Sequence, residues 1–341
     1  MPTVDSTNKE WIDKTVEEAL EPELPICDPH HHFWEFRYER PVHHYLLDDL
    51  LADINAGHNI VSTVFIECAA MYRKDGPEEM RVVGEVEFVN GIAAMSASGL
   101  YGDARIAAGI VGHANLTLGS AVGAVLDAQI AAGGGRFRGI RHIVTWEETG
   151  HFPPPRTNSV RRLMLDSKFR EGFSELGPRD LSFEAWCFHP QLPEVADLAR
   201  AFPGTTIVLD HFGGPLGVGP YADRRDEIFD SWSRDITDLA TCPNVVAKLG
   251  GINMDLNGFG WHERERSPTS VELMEATRRY YEHTIDAFGP DRCMFESNFP
   301  VDMISCGYVV LWNSFKRLTA NYSDAEKAAL YHDTAARVYR L

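Results

Sequence analysis

Cys27-Asp28-Pro29-His30-His31-His32-Phe33-Trp34 places three consecutive histidines behind an apolar lead, Leu24-Pro25-Ile26. A strand ending there alternates its side chains between two faces. His30 and His32 therefore point the same way, roughly 6–7 Å apart, and His31 points the other way. Two imidazoles aimed into one space can share a metal ion or flank one substrate. Two more apolar runs end in the same residue type: residues 181–188 lead into His189-Pro190, and residues 206–209 lead into Asp210-His211-Phe212-Gly213-Gly214. A last run, 292–295, leads into Glu296-Ser297-Asn298-Phe299-Pro300-Val301-Asp302. Such a set suits metal-assisted or acid–base chemistry on a small substrate.

These residues are far apart in sequence, so the fold must bring them together. Strand-like runs follow at 60–68, 106–111, 137–144, 181–188, 206–209, 245–249 and 292–295. Helical spacing separates them at 45–54, 79–98, 120–131, 159–176, 192–202, 224–240 and 270–288. Strand–helix alternation argues for a parallel sheet. Eight units in a chain of this length predict an α/β fold, a (β/α)8 TIM-type barrel over residues 24–341. A typical barrel of this kind takes about 250 residues, and its strands' C-terminal ends meet at one mouth where active sites form. Residues 1–23 read as an N-terminal lead-in with a helix near 9–20, and C-terminal helices are expected near 308–318 and 325–339. The rival doubly wound sheet would carry a glycine-rich phosphate turn after its first strand, and here that turn is histidine-rich. Two long loops, 145–158 (with three prolines) and 253–267, are expected on the mouth side, and His262 lies in the second.

The chain has 341 residues, 44% hydrophobic and 24% charged, ordinary for a folded globular protein. Its 32 basic and 50 acidic residues give a net charge of −18. That balance disfavours nucleic acid and anionic membranes as partners and leaves a small-molecule substrate. Assembly as a homo-oligomer stays open. The six cysteines show no Cys-x-x-Cys spacing and read as buried reduced thiols, with a cytoplasmic location. No signal-peptide pattern or membrane-spanning run is expected.

The pattern resembles the amidohydrolase superfamily. The features that carry it are His30-x-His32 after the first strand, His189 after the fifth, His211 after the sixth and Asn298 after the eighth. Asp28-Pro29-His30-His31-His32-Phe33-Trp34, Gly139-Ile140-Arg141, His189-Pro190-Gln191-Leu192, Leu209-Asp210-His211-Phe212-Gly213-Gly214-Pro215 and Ser297-Asn298-Phe299-Pro300 look like its lactonase-type branch of sugar-acid and pyrone-dicarboxylate lactonases. The resemblance implies a divalent metal such as zinc or manganese on His30, His32, His189 and His211, although members of the branch can work without one. It also implies that Arg141 holds a substrate carboxylate. One position departs. The family usually ends its eighth strand with an Asp that binds metal or activates water, and this chain has Asn298. A carboxamide cannot take that proton. Asp302 is the preferred replacement base, then Glu296, with His211 as a third candidate.

Tyr45, Tyr72, Arg73, Trp186 and His142 are candidate walls of the site. Lys248, inside the seventh strand, must meet an acidic residue or face the site, since a buried charge needs a partner. Its neighbour Gly250 suggests a close backbone approach. The expected activity is opening of a lactone or related cyclic ester bearing a carboxylate. The alternatives are a metal-dependent decarboxylase or amide hydrolase on the same barrel, and an inert ligand-binding barrel.

Overall fold

The computed structural model describes residues 6–37, 42–152, 155–157 and 159–341. The start of the lead-in (1–5), residues 38–41 and three positions of the first long loop (153, 154 and 158) lie outside the described residues. Eight strands form one sheet in sequence order: β1 (Pro25–His31), β2 (Asn59–Ile66), β3 (Arg105–Gly112), β4 (Phe137–Arg141), β5 (Ser182–Ala185), β6 (Ile207–Leu209), β7 (Val245–Leu249) and β8 (Cys293–Phe295). Each pairs with the next in parallel. The sheet closes just beyond β8, where His31 bridges Phe299 and His32 N–H donates to the Phe299 carbonyl at 2.8 Å. This is the expected barrel.

Strand alternation divides the core in two. Outward residues such as Phe65, Ile110, Phe183, Leu209 and Phe295 join the helices in the larger apolar cluster. Inward residues Cys27, Val64, Ile66, Val111, Val208, Val246 and Met294 form a second cluster inside the barrel. Two positions further along their strands, on the same inward face, stand Asp210, Lys248 and Glu296. The barrel is therefore apolar at its floor and charged above it.

The helices are α1 (Ser6–Ile12), α2 (Leu47–Ile54), α3 (Val83–Ala97), α4 (Val122–Ala132), α5 (Ser167–Phe173), α6 (Leu192–Ala201), α7 (Arg225–Ala240), α8 (Ser270–Phe288), α9 (Tyr308–Leu318), α10 (Asp324–Ala328) and α11 (Thr334–Tyr339). Two depart from expectation. The lead-in helix ends at Ile12, because the next residues use their polar groups on the barrel's outer helices. Glu17 accepts from the Ser270 N–H and hydroxyl, Thr15 donates to the Ser267 carbonyl, and Val16 is left exposed. The helix expected over 159–176 starts only at Ser167, because Asp166 caps it by accepting from the N–H groups of Lys168 and Phe169 at 2.9 Å. All six cysteines are free and buried. No described helix is long and apolar enough to cross a membrane.

Candidate active site

The charged layer of the barrel interior ends in a compact cluster. Glu296, one residue past β8, lies between two imidazoles. Its Oε1 is 2.7 Å from Nδ1 of His211, and its Oε2 is 2.7 Å from Nδ1 of His30. The two rings stand 4.5 Å apart. Two glycines after β7 make the room. A Cβ on Gly250 would lie 2.3 Å from the Glu296 carbonyl oxygen, and one on Gly251, whose φ is +67°, would lie 2.1 Å from Nδ1 of His211. Nε2 of His30 faces Nε2 of His32 at 3.3 Å, so the His-x-His pair does share one space. Nδ1 of His32 is held by the Ile66 carbonyl at 2.7 Å.

Basic groups flank the cluster. Nζ of Lys248 is 2.8 Å from Oε2 of Glu184, 3.4 Å from Oδ1 of Asp210 and 3.4 Å from Nδ1 of His30. Lys248 thus both meets acidic residues and faces the site. Arg141 directs Nε to Glu67 Oε1 at 2.8 Å, Nη2 to the Glu67 carbonyl at 2.5 Å, and Nη1 toward His30 Nε2 and Asp210 Oδ2 at 3.4 and 3.5 Å. Arg156, from the first long loop, pairs with the other Glu67 oxygen. All three nitrogens of Arg141 face protein groups, so a substrate carboxylate would have to displace one of them.

Burial, with the positive charge of Lys248 beside it, holds His30 well below the usual imidazole range, and burial with Arg141 does the same to His32. That direction favours the neutral form of each ring, which keeps a lone pair to offer. Burial raises Glu184 above its ordinary range, and the ammonium of Lys248 opposes that rise. Burial would also raise Asp210, but Lys248, His211 and Arg141 outweigh it and hold that carboxylate below its ordinary range. Burial pushes Asp302 up to about 7.

The remaining expected residues fall in different places. Asn298 donates Nδ2 to Asp302 Oδ1 at 2.9 Å. Asp302 therefore meets Asn298 directly, whereas Glu296 meets the imidazoles. Trp186 packs edge-on against His211 at 4.7 Å and continues through Phe188 to Phe152, an aromatic wall. His189 stands apart from the Glu296 cluster: its Nδ1 accepts from the Leu216 N–H at 3.3 Å and its ring packs against Tyr221. The Tyr45 hydroxyl donates to Asp53 at 2.7 Å. Tyr72 is half-buried, and Arg73 pairs with Glu87 at the surface. His142 packs between His113 and Phe169, outside the sheet. The first long loop is folded by Glu147, which accepts from the N–H groups of Thr149 and His151 and from the Tyr221 hydroxyl. The second long loop, with exposed His262, is tied to the lead-in by the Trp11 indole on the Arg264 carbonyl. Among the described residues both loops meet the segment after β6, the first through Glu147 and the Tyr221 hydroxyl, the second through Asn257, which donates to the Pro215 carbonyl at 2.8 Å.

Sequence reasoning passed over Glu67, Glu184 and Asp210. Each is a carboxylate at or near the end of an apolar strand, and the argument applied to Lys248 would have found them. Asp28 was also passed over. Its carboxylate accepts from the Ser297 N–H at 3.0 Å and the Tyr308 hydroxyl at 2.9 Å, tying β1 to the segment after β8.

His30, His211 and Glu296 are the described residues whose ligand atoms gather closely enough for one ion, within 4.8 Å of one another. Oε2 of Glu296 is 2.7 Å from the His30 nitrogen yet makes no aligned hydrogen bond, and Oδ1 of Asp210 likewise lacks one. These oxygens keep lone pairs for a cation. The donor set fits a divalent ion. Two of the four histidines expected as ligands are in this group, His32 is adjacent and His189 is outside.

A family model for amidohydrolases matches residues 27–341. The chain belongs to the amidohydrolase family. This hydrolase is 32% identical over 337 residues to the protein y4mH of Sinorhizobium fredii, covering 94% of this chain and 99% of that one. It is 30% identical over 209 residues to an L-fucono-1,5-lactonase of Burkholderia multivorans, covering 61% of this chain and 64% of that enzyme. A crystal structure of a Burkholderia multivorans amidohydrolase with bound zinc superimposes with a TM-score of 0.71 at 25% identity, covering 93% of this amidohydrolase and 99% of the other.

Proposed function

We propose that this amidohydrolase opens the ring ester of a lactone, with a sugar-acid lactone as the first substrate class to try. The observation that carries the reading is the single carboxylate of Glu296 held 2.7 Å from both His30 and His211. At His211, where the contact is an aligned hydrogen bond, a carboxylate that accepts Nδ1–H fixes the tautomer of the imidazole and supports the charge it gains on taking a proton. The lactonase named among the relatives supports the choice of a cyclic ester.

In this reading the His211–Glu296 pair takes a proton from water as its oxygen bonds to the lactone carbonyl carbon. The ring C–O bond then breaks, and the same pair returns the proton to the departing ring oxygen. The product is an open hydroxy acid. Glu296, rather than Asp302, fills the role that Asn298 cannot. Trp186 forms an apolar face against which a sugar ring can lie. A divalent ion held by His30 and the free Oε2 of Glu296 would polarise the carbonyl and leave the remaining lone pair of His211 for the proton. The six free thiols support a cytoplasmic location.

The test is a panel of sugar-acid lactones, read by the acid released on ring opening. Hydrolysis of at least one, reduced about 100-fold or more in Glu296→Gln and His211→Ala, is the expected result. No lactone turnover, with carbon dioxide released from an aromatic acid, would move the assignment to decarboxylation.

A further inference from the structure

The C-terminal helix sits at the end of the barrel opposite the histidines. Arg340 donates to the carbonyl of Asp180, just before β5, at 2.9 Å, and Arg337 donates to that of Asp291, just before β8. Ala335, Val338 and Tyr339 pack onto the apolar floor formed by Cys27, Val64, Val111, Val208, Val246 and Met294. Tyr339 is fully buried, and its hydroxyl reaches above that floor to donate to Oε1 of Glu184 at 2.7 Å. The other oxygen, Oε2, accepts from Lys248 at 2.8 Å, and Lys248 lies 3.4 Å from Nδ1 of His30.

We propose that Tyr339 is a positioning residue for His30, acting through Glu184 and Lys248. A buried ammonium needs an acceptor for each N–H. Glu184 offers Lys248 its closest one, with Asp210 and His30 0.6 Å further away. Lys248 and Asp210 also hold Glu184, and Tyr339 adds the hydrogen bond to Oε1 that fixes the carboxyl plane. Removing the hydroxyl frees the carboxyl to turn and lets Lys248 move among Glu184, Asp210 and His30. The nitrogen that Lys248 then approaches or leaves is the one facing Glu296. A residue at the far end of the fold thereby sets the ring at the mouth. A tyrosine that only fills the floor would act through its ring and not through its hydroxyl.

The inference rests on the reading of His30 and Glu296 as the working centre, and its first test needs no substrate. The full-length protein labelled with 15N-histidine is compared with Tyr339→Phe by NMR at the ring nitrogens. The His30 signals should move while those of His283, on the outer helices, stay. Steady-state kinetics on a hydrolysed lactone should then show kcat lower by about tenfold with KM within about twofold. In a Lys248→Met background the same change should have no further effect, because the link is already cut. Glu184→Gln interrupts the same chain and should shift His30 if Tyr339→Phe does not fold. Unmoved His30 signals, or a loss of kcat that multiplies independently in the Lys248→Met background, would overturn the proposal. A negative lactone panel with shifted His30 signals would overturn the proposed substrate and leave the positioning role standing.

Discussion

The Asn298 N–H donates to the carbonyl of His30 at 2.9 Å, so the seam that closes the barrel runs through the candidate site. The residue that departs from the family pattern is therefore also a structural joint. Its φ is +55°, a left-handed conformation that Asn and Asp both tolerate. The backbone would accept an aspartate there.

The side chain would not. Asn298 donates to Asp302, and Asn298→Asp sets two buried carboxylates against each other without that donor. Above about pH 7, where Asp302 is ionised, a destabilisation of about 3–5 kcal/mol is expected, the range for an uncompensated buried charge. The swapped double variant, Asn298→Asp with Asp302→Asn, restores a donor and an acceptor and should recover more than half of the loss. Urea denaturation of the two single variants and the double variant measures it. Additive losses would show that the pair is not coupled.

Metal content distinguishes the donor set assembled by the fold from the set of histidines expected from sequence. Protein purified without added metal or a histidine tag should carry near one equivalent of a divalent ion. Glu296→Gln should lower its affinity by about tenfold or more, since it removes a donor of the cluster. His189→Gln should leave content unchanged, since that ring is held by Leu216 and Tyr221 away from the cluster. Elemental analysis after dialysis reads both. Loss of metal in His189→Gln with retention in Glu296→Gln would reverse the assignment.

Stability should fall with rising pH in a way traceable to Glu85. This carboxylate is buried on α3 and accepts from the N–H groups of Cys68 and Ala70 at 2.9 and 2.8 Å, holding the turn after Glu67. Burial pushes it up to about 7 from an ordinary value of 4.5. A raised carboxyl pKa means that the folded state binds more protons than the unfolded one. Its contribution is fully present below the ordinary value and is lost as pH rises through about 7. Glu85→Gln keeps an acceptor and removes the ionisation. Between pH 5.5 and 8.5 the variant should gain about 2 kcal/mol relative to wild type. Denaturation at both pH values tests this, and a constant difference would exclude Glu85 as the source.

The barrel and the first histidine pair were legible because both rest on local rules. Strand–helix alternation writes the topology, and the two-residue period puts His30 and His32 on one face. What the sequence could not rank was which far-apart side chains meet. Glu296 and Asp302 look alike as bases until Asn298 is seen turned toward one and the histidines toward the other. Tyr45 and Trp186 look alike as wall residues until the turn into α2 sends one to Asp53 and the end of β5 sends the other to His211. Tyr339 carries no local signal, since nothing in a C-terminal helix shows that it plugs a barrel floor. Sequence periodicity fixes the face of an element, and the closure of the sheet decides what that face meets.

Gly251 gives the sharpest test of how tightly the His211–Glu296 geometry is held. Its φ of +67° is in the left-handed region, and a Cβ there would meet Nδ1 of His211 at 2.1 Å and Cγ at 2.5 Å. No real contact is that short, so Gly251→Ala must move the imidazole or the turn after β7. The left-handed backbone costs an alanine about 1–2 kcal/mol, and the overpacking adds about 1–3 kcal/mol. His211 has little room to yield, because Trp186 packs edge-on at 4.7 Å and the His30 ring stands 4.5 Å away. The ring must therefore lose its alignment with Glu296, and a misplacement of about 1 Å is enough to lower turnover about 100-fold. Gly135, also at positive φ but with open space around its Cβ position, serves as the control. Gly135→Ala should show the backbone cost and keep full activity. If Gly251→Ala loses only stability, with kcat equal to that of the control, the His211–Glu296 contact is not the working part of the site.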